Sequence, residues 1–195
     1  QDHLLLTLNP PLTNKNKYTP DREIIFIQDI SGSMSGEPMR QSKIGLEMAI
    51  KRLKSNDKFN IVLFNDSYSS YAEIPVLATA KERDKAINYV RRLKAKNGTE
   101  MYPALKYALK NFKSKKSVLK QLIFLTDGAV TQESKLFSLI NRELKAARLF
   151  TIGIGSAPNS FFMSRAAEIG RGSHIHIGDM DEISNRMADL FSKIE

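Results

Sequence analysis

Residues 22–36 read REIIFIQDISGSMSG, and this stretch decides the fold. Ile24, Ile25, Phe26 and Ile27 form an unbroken apolar run, which fits a strand covered on both faces rather than one facing water. The run ends on Asp29. A short segment rich in Ser and Gly follows, and then Pro38, a residue suited to the first turn of a helix because its missing N–H has no partner to lose there. A strand that delivers an acid and hydroxyls before a helix is the opening unit of a doubly wound α/β sheet.

The same alternation continues outward along the chain. Strands are expected over residues 23–29, 58–64, 121–126, 149–154 and 174–177, with an edge strand over 70–76, where Pro75 argues against a central position. Helices are expected over residues 38–54, 80–96, 103–113, 133–146, 160–169 and 180–194. In the first helix Ile44, Met48 and Lys51, with Ala49 and Leu53 alongside, trace an amphipathic face. The expectation is a doubly wound, Rossmann-like, mostly parallel six-strand sheet with helices on both faces. Residues 1–20 differ: LLLTL at 4–8, then Asn9, Pro10 and Pro11, read as a strand and linker ending a preceding domain, with the α/β domain over 21–195. Residue 1 is Gln rather than Met, which points to a piece of a longer chain.

Composition narrows the function classes. The chain has 195 residues, 42% hydrophobic and 26% charged, as in ordinary globular domains. Its longest apolar runs, such as residues 24–27 and 122–125, fall far short of the ~20 residues of a membrane span. Cysteine is absent, so there is no disulfide framework, Cys-ligated zinc or thiol nucleophile. Net charge is +9, and residues 81–120 hold 13 Lys and Arg against 3 Asp and Glu. That surplus reads as one helical stretch that is either a solvated face or a patch for an acidic polymer or surface. Nucleic acid is not expected, because no binding motif or interleaved aromatic platform accompanies the charge.

Ligands of such sheets bind outside the C-terminal ends of the strands. The first strand delivers Asp29, Ser31 and Ser33 there, and the QLIFLT strand at 121–126 delivers Asp127 and Gly128. Between them, the loop before Pro103 offers Asn97, Gly98, Thr99 and Glu100. These are oxygen donors without nitrogen or sulfur, which suit Mg²⁺, Mn²⁺ or Ca²⁺ rather than zinc or copper. Hydroxyls are neutral, so Ser31, Ser33 and Thr99 can hold such an ion without quenching its charge, leaving it able to accept a further carboxylate. Taken singly, Asp29 or Asp127 is as well explained as a helix N-cap; three such loops in order are not. Met34, Glu100 and Gly128 are the further candidates for a rim touched by a ligand, although Met34 reads equally well as a residue packed under the loop.

These three loops resemble the metal-ion-dependent adhesion site of the von Willebrand factor type A family. Asp29, Ser31 and Ser33 match its D-x-S-x-S loop, Thr99 in NGTEMYPAL its second, and Asp127 in FLTDG its third. The likeness spans residues 22–195 and is nearest to the A domain of inter-alpha-trypsin inhibitor heavy chains and their bacterial relatives, through REIIFIQDISGSMSGEPMRQSK and FNIVLFND. The resemblance implies a non-enzymatic adhesion or protein-binding module. Asp29, Ser31, Ser33, Thr99 and Asp127 would hold Mg²⁺, with Mn²⁺ or Ca²⁺ as substitutes, and a Glu or Asp of a protein partner would complete the coordination. It also implies that residues 1–20 leave a preceding VIT domain, an exported or cell-surface location, and, as in some members, movement of the last helix around residues 182–194. Asn97 stands where the family often has glycine, and Gln28 where an apolar residue is commoner; neither removes a ligand.

Other readings carry less. A structural metal site, with recognition by the basic 81–120 region, is the main alternative, and metal-assisted hydrolysis a minor one. No His lies in the site loops to act as a base. A G-x-S-x-G elbow fails because Gly32 and Gly36 bracket Met34. The Gly153–Gly155 pair lacks the third glycine of a dinucleotide loop, since position 158 is Pro. His174 and His176 share one face of a strand without a third ligand and read as ordinary strand residues.

Overall fold

The computed structural model describes residues 20–113, 118–128, 130, 132–156 and 158–194. The strand expected over residues 4–8 lies outside them. Unbroken apolar runs become central strands: β1 (Arg22–Asp29), β2 (Lys58–Phe64), β5 (Leu119–Thr126), β6 (Arg148–Ile154) and β7 (His174–Ile177), with short β3 (Tyr68–Ser70) and β4 (Val76–Leu77). They form one sheet in the order β3-β2-β1-β5-β6-β7, with β4 pairing β2 beside β3. The five long strands run parallel, and β3 and β4 run antiparallel to β2. The sheet is thus six strands wide, with two short strands sharing one edge.

Helices α1 (Glu37–Lys51), α2 (Ala80–Arg91), α3 (Met101–Asn111), α4 (Glu133–Glu143), α5 (Ser160–Ile169) and α6 (Ile183–Ile194) cover both faces. Alternation along each strand splits the core in two. Ile24 and Phe26 of β1 face α1, α2 and α6 together with Phe59, Ile123 and Leu190. Ile25 and Ile27 face α3, α4 and α5 together with Phe64, Leu122 and Phe162.

Three expectations are corrected. The inward face of α1 is Met39, Ser42, Gly45, Leu46, Ala49 and Ile50, whereas Ile44 is 37% exposed and Lys51 pairs with Glu47 on the surface. Small residues and hydrogen-bonded polar ones take the inner positions: a Cβ on Gly45 would lie 3.6 Å from Met187, and Ser42 donates to the Gln28 side chain at 2.6 Å. The single edge strand becomes two, because the Asn60 side chain replaces the ladder at Ala72, donating to its carbonyl at 2.8 Å and accepting its N–H at 3.1 Å.

The basic stretch is not one helix. α2 ends at Arg91; Leu93 buries itself in the core, and the Lys96 N–H donates to the Ile30 carbonyl at 2.7 Å, drawing the chain towards β1. α3 then begins on the opposite face of the sheet, so the described cations of α2 and α3 are divided between two surfaces, while Lys115 and Lys116 lie outside the described residues.

A buried ion pair closes the lower end. Arg22 donates to both Asp57 oxygens, at 3.1 and 2.5 Å, and Asp57 also accepts the Lys54 N–H at 2.8 Å. Arg22→Ala leaves that carboxylate buried without its cation and is expected to cost about 3 kcal/mol. Urea denaturation checks this; an unchanged midpoint would mean that water replaces the guanidinium at no cost.

Candidate metal centre

The chain travels from β1 out to β2 on one side and returns to β5 on the other, so the order reverses between β1 and β5. A crevice forms above such a point because the two flanking connections leave in opposite directions. Gln28 pairs with Leu125 in register, which brings the next residues, Asp29 and Thr126, level at its base.

Asp29 is wholly buried. One of its oxygens accepts the Ser31 N–H at 2.8 Å, and the other accepts the Thr126 hydroxyl at 2.6 Å. Burial pushes its pKa up to about 6, against the opposing pull of the Thr126 and Ser31 hydrogen bonds, and the neighbouring Asp127 charge adds to the rise. Gln28 steadies the backbone beneath by donating to the Asp29 carbonyl at 2.6 Å while accepting from Ser42.

After Asp29 the chain makes a 3-10 turn over Gly32–Met34, held by the Met34 N–H on the Ser31 carbonyl at 3.1 Å. The turn places the Ser31 and Ser33 hydroxyl oxygens 3.0 Å apart, Ser31 buried and Ser33 exposed. It also drives Met34 fully into the core with Ile30 and Met39, so Met34 packs under the loop and is not a rim residue.

The third loop is fixed by Gly128. Its φ is +77°, and a Cβ there would meet the Asn159 nitrogen at 2.7 Å, so glycine alone fits. Its N–H donates to the Thr126 hydroxyl at 2.9 Å, and the Asp127 carbonyl accepts the Asn159 N–H at 3.2 Å. Gly128 is therefore buried support rather than rim, while Asp127 remains half-buried beside Asp29.

Backbone bonds bring up the second loop. Beyond the Lys96 N–H on Ile30, the Asn65 side chain donates to the Asn97 carbonyl at 3.1 Å, and the Glu100 N–H donates to the Asn65 carbonyl at 2.5 Å. Gly98, at φ +90°, lies so close to Asp66 that a Cβ would fall 2.5 Å from the Asp66 Cβ. Half-buried Thr99 and exposed Glu100 open onto a groove of about 370 Å³, whose far side is Gln132, Lys135 and Leu136.

The donor set fits a hard cation. Among the described residues no three His, Cys, Asp or Glu side chains gather as a metal site, so a cage of charged ligands is not what is built. What is built is two acids with hydroxyls. The two serine hydroxyls hydrogen-bond to each other at 3.0 Å, a separation that oxygens bound side by side on an octahedral Mg²⁺, about 3.0 Å apart, would also keep. The described histidines are engaged elsewhere: His174 with the Thr151 hydroxyl at 3.1 Å and His176 with the Gly155 carbonyl at 2.7 Å. The sequence alone does not single out Thr126, Asn65 or Asn159; a threonine ending an apolar strand is the one visible signal among them.

The profile of the von Willebrand factor type A domain matches residues 22–174. A von Willebrand factor A domain-containing protein of Dictyostelium discoideum is 32% identical over 171 residues, 87% of this chain and 18% of that protein. Inter alpha-trypsin inhibitor, heavy chain 4 of Mus musculus is 28% identical over 193 residues, covering 92% of this chain and 20% of that one. The chain thus spans about a fifth of the length of these relatives. Among solved structures, a von Willebrand factor type A protein from Catenulispora acidiphila superposes with TM-score 0.79 at 24% identity, over 89% of this chain and 42% of that one. Proximal thread matrix protein 1 from mussel byssus, with a zinc-occupied MIDAS motif, gives 0.69 at 15% identity, over 90% and 48%. At these identities the structural likeness carries the fold.

Because the folded pKa of Asp29 lies above its ordinary 3.8, the native state holds a proton that the unfolded chain releases between the two values. The stability from this group is full below pH 3.8 and is lost as pH rises through about 6. In chelator, Asp29→Asn is therefore expected to be more stable than wild type at pH 7.5, by on the order of 2 kcal/mol, with the gap closing towards pH 4. Urea titrations across that range measure it, and a gap that widens on acidification reverses the sign.

Proposed function

Because the chain belongs to the von Willebrand factor type A family, we propose that it is a divalent-metal-dependent interaction module that captures an acidic group of a protein partner. The metal is held by Asp29, Ser31, Ser33, Thr99 and Asp127, and Mg²⁺ is the ion that best suits the set, with Mn²⁺ or Ca²⁺ as substitutes. The observation that carries this reading is the pair of serine hydroxyls 3.0 Å apart above a buried carboxylate whose pKa is raised to about 6. When bound, the ion supplies a positive centre with room for one more oxygen.

The chain's own residues divide the remaining work. Asp29 spends both oxygens on Ser31 and Thr126, so it acts chiefly as an anchor and a counter-charge. Ser31 and Ser33 contribute neutral donors that leave the ion's charge largely intact. Asp127, half-buried and fixed by Gly128 below it, supplies the second counter-charge. A partner carboxylate then meets an attractive centre, and the groove beside Thr99 accepts the chain that carries it. The reading is binding without turnover, with Asp29 serving as a counter-charge held by Ser31 and Thr126.

An exported or cell-surface setting suits this function. Among the described residues no helix is long and apolar enough to cross a membrane. Residues 1–20 as the end of a preceding domain, with the interaction module over 21–195, complete the proposal.

Thermal unfolding with Mg²⁺ or Mn²⁺ against chelator tests it. At ten times its dissociation constant the ion should stabilise the protein by about 1.4 kcal/mol, roughly a 3 °C shift for a domain of this size. The shift should vanish in Asp127→Ala and in Ser33→Ala, the latter an exposed residue whose loss leaves the core untouched. A full shift in both variants places the ion elsewhere.

A further inference from the structure

Splitting the basic stretch between two faces leaves one half beside the rim. α2 runs antiparallel to α1, and its C-terminal end meets the upper part of α1, where the Lys43 ammonium donates to the Arg91 carbonyl at 3.1 Å. From there residues 91–96, RRLKAK, lead directly into the second loop. Leu93 is buried and Ala95 half-buried, while Lys94 and Lys96 between and beyond them are exposed. The alternation seals the core with one side of the segment and offers ammonium groups on the other.

The Lys96 N–H is the group that binds the Ile30 carbonyl, next to Ser31, so this cationic segment is physically joined to the proposed metal loop. No acidic residue lies between Asp84 and Glu100. The two acids nearby on α1 are already engaged: Glu47 accepts Arg91 at 2.9 and 2.6 Å and pairs with Lys51, and Glu37 lies 3.5 Å from Arg40. Cations in the last turn of a helix answer its dipole, which accounts for Arg91, itself paired with Glu47. Lys94 and Lys96 lie past the helix end, and the dipole does not explain them.

We infer that Lys43, Arg92, Lys94 and Lys96 form a second contact surface for the ligand of the rim, and that this ligand is an acidic polypeptide segment in which the metal-bound carboxylate is accompanied by further Asp or Glu residues. The inference rests on the metal-dependent reading of the rim. Complementary charge on a surface beside a binding point raises the encounter rate and selects among partners. A lone acid in a neutral sequence meets only the rim, whereas an acid-rich segment meets rim and ridge together.

The test uses poly-L-glutamate of about 20 residues and, as a polyanion without carboxylates, dextran sulfate. Binding is measured on the whole chain with Mn²⁺ or with chelator. Wild type is compared with the combined Arg92→Gln, Lys94→Gln and Lys96→Gln variant, and the metal-induced thermal shift of the variant verifies that its rim is intact. The expected result is poly-glutamate binding that needs the metal and weakens at least about tenfold in the variant at 0.15 M salt, with the difference shrinking at 0.5 M salt as screening shortens the reach of the ridge. Metal-dependent binding that is equal in both proteins overturns the ridge and leaves the rim standing. Binding of both polymers that needs the ridge and ignores the metal overturns the shared ligand. No binding of poly-glutamate under any condition overturns this inference, and it overturns the rim reading as well only if the metal-induced thermal shift of the wild type is also absent.

Discussion

A single buried carboxylate organises the upper edge of this protein. Asp29 is removed from water at the end of the central strand and receives one hydrogen bond from its own loop and one from the strand beside it. Burying a charge is unfavourable unless donors or a cation compensate it. Here the donors compensate only in part, since the carboxyl still sits at about 6. A group held this way does little for stability as an anion, and a cation bound beside it would offset the cost. The same two hydrogen bonds lock the first loop to the third, so the site's shape and its charge share one origin.

The sheet makes that arrangement possible. Parallel strands present all their C-terminal ends at one edge, and the reversal between β1 and β5 opens a crevice there. The first and third loops are direct continuations of strands. The second loop has no strand beneath it and is brought in by backbone bonds, Lys96 to Ile30 and Glu100 to Asn65, with Gly98 allowing close approach over Asp66. Polar residues under the rim serve this positioning: Gln28 and Ser42 join the end of β1 to α1, and Gln41 donates to the Gly178 carbonyl at 3.1 Å. They are buried on the inward side of the helix because they are hydrogen-bonded, which hydrophobic periodicity alone does not register.

The charge distribution acquires meaning only on this framework. Summed along the chain, residues 81–120 look like one basic block. Folded, the α2 cations and the α3 cations lie on opposite faces of the sheet, and among the described residues it is the segment from Arg91 to Lys96 that runs into the rim. On the proposed reading, a rim-bound cation that meets a carboxylate and a ridge of further cations alongside it would address the same kind of partner, from two directions.

The amino-acid sequence by itself determined the doubly wound class, the position of every long strand, and which residues stand at the strand ends as oxygen donors. These are local properties: an unbroken apolar run, a proline in a first helical turn and an acid closing a strand keep their meaning whatever packs around them. Tertiary structure alone decided that Met34 and Gly128 lie beneath the rim, that Thr126 holds Asp29, that Ile44 faces outward, and that the basic block is divided. Each of these depends on which distant segment arrives alongside, and contacts between residues far apart in the chain leave no period or spacing in the sequence to be read.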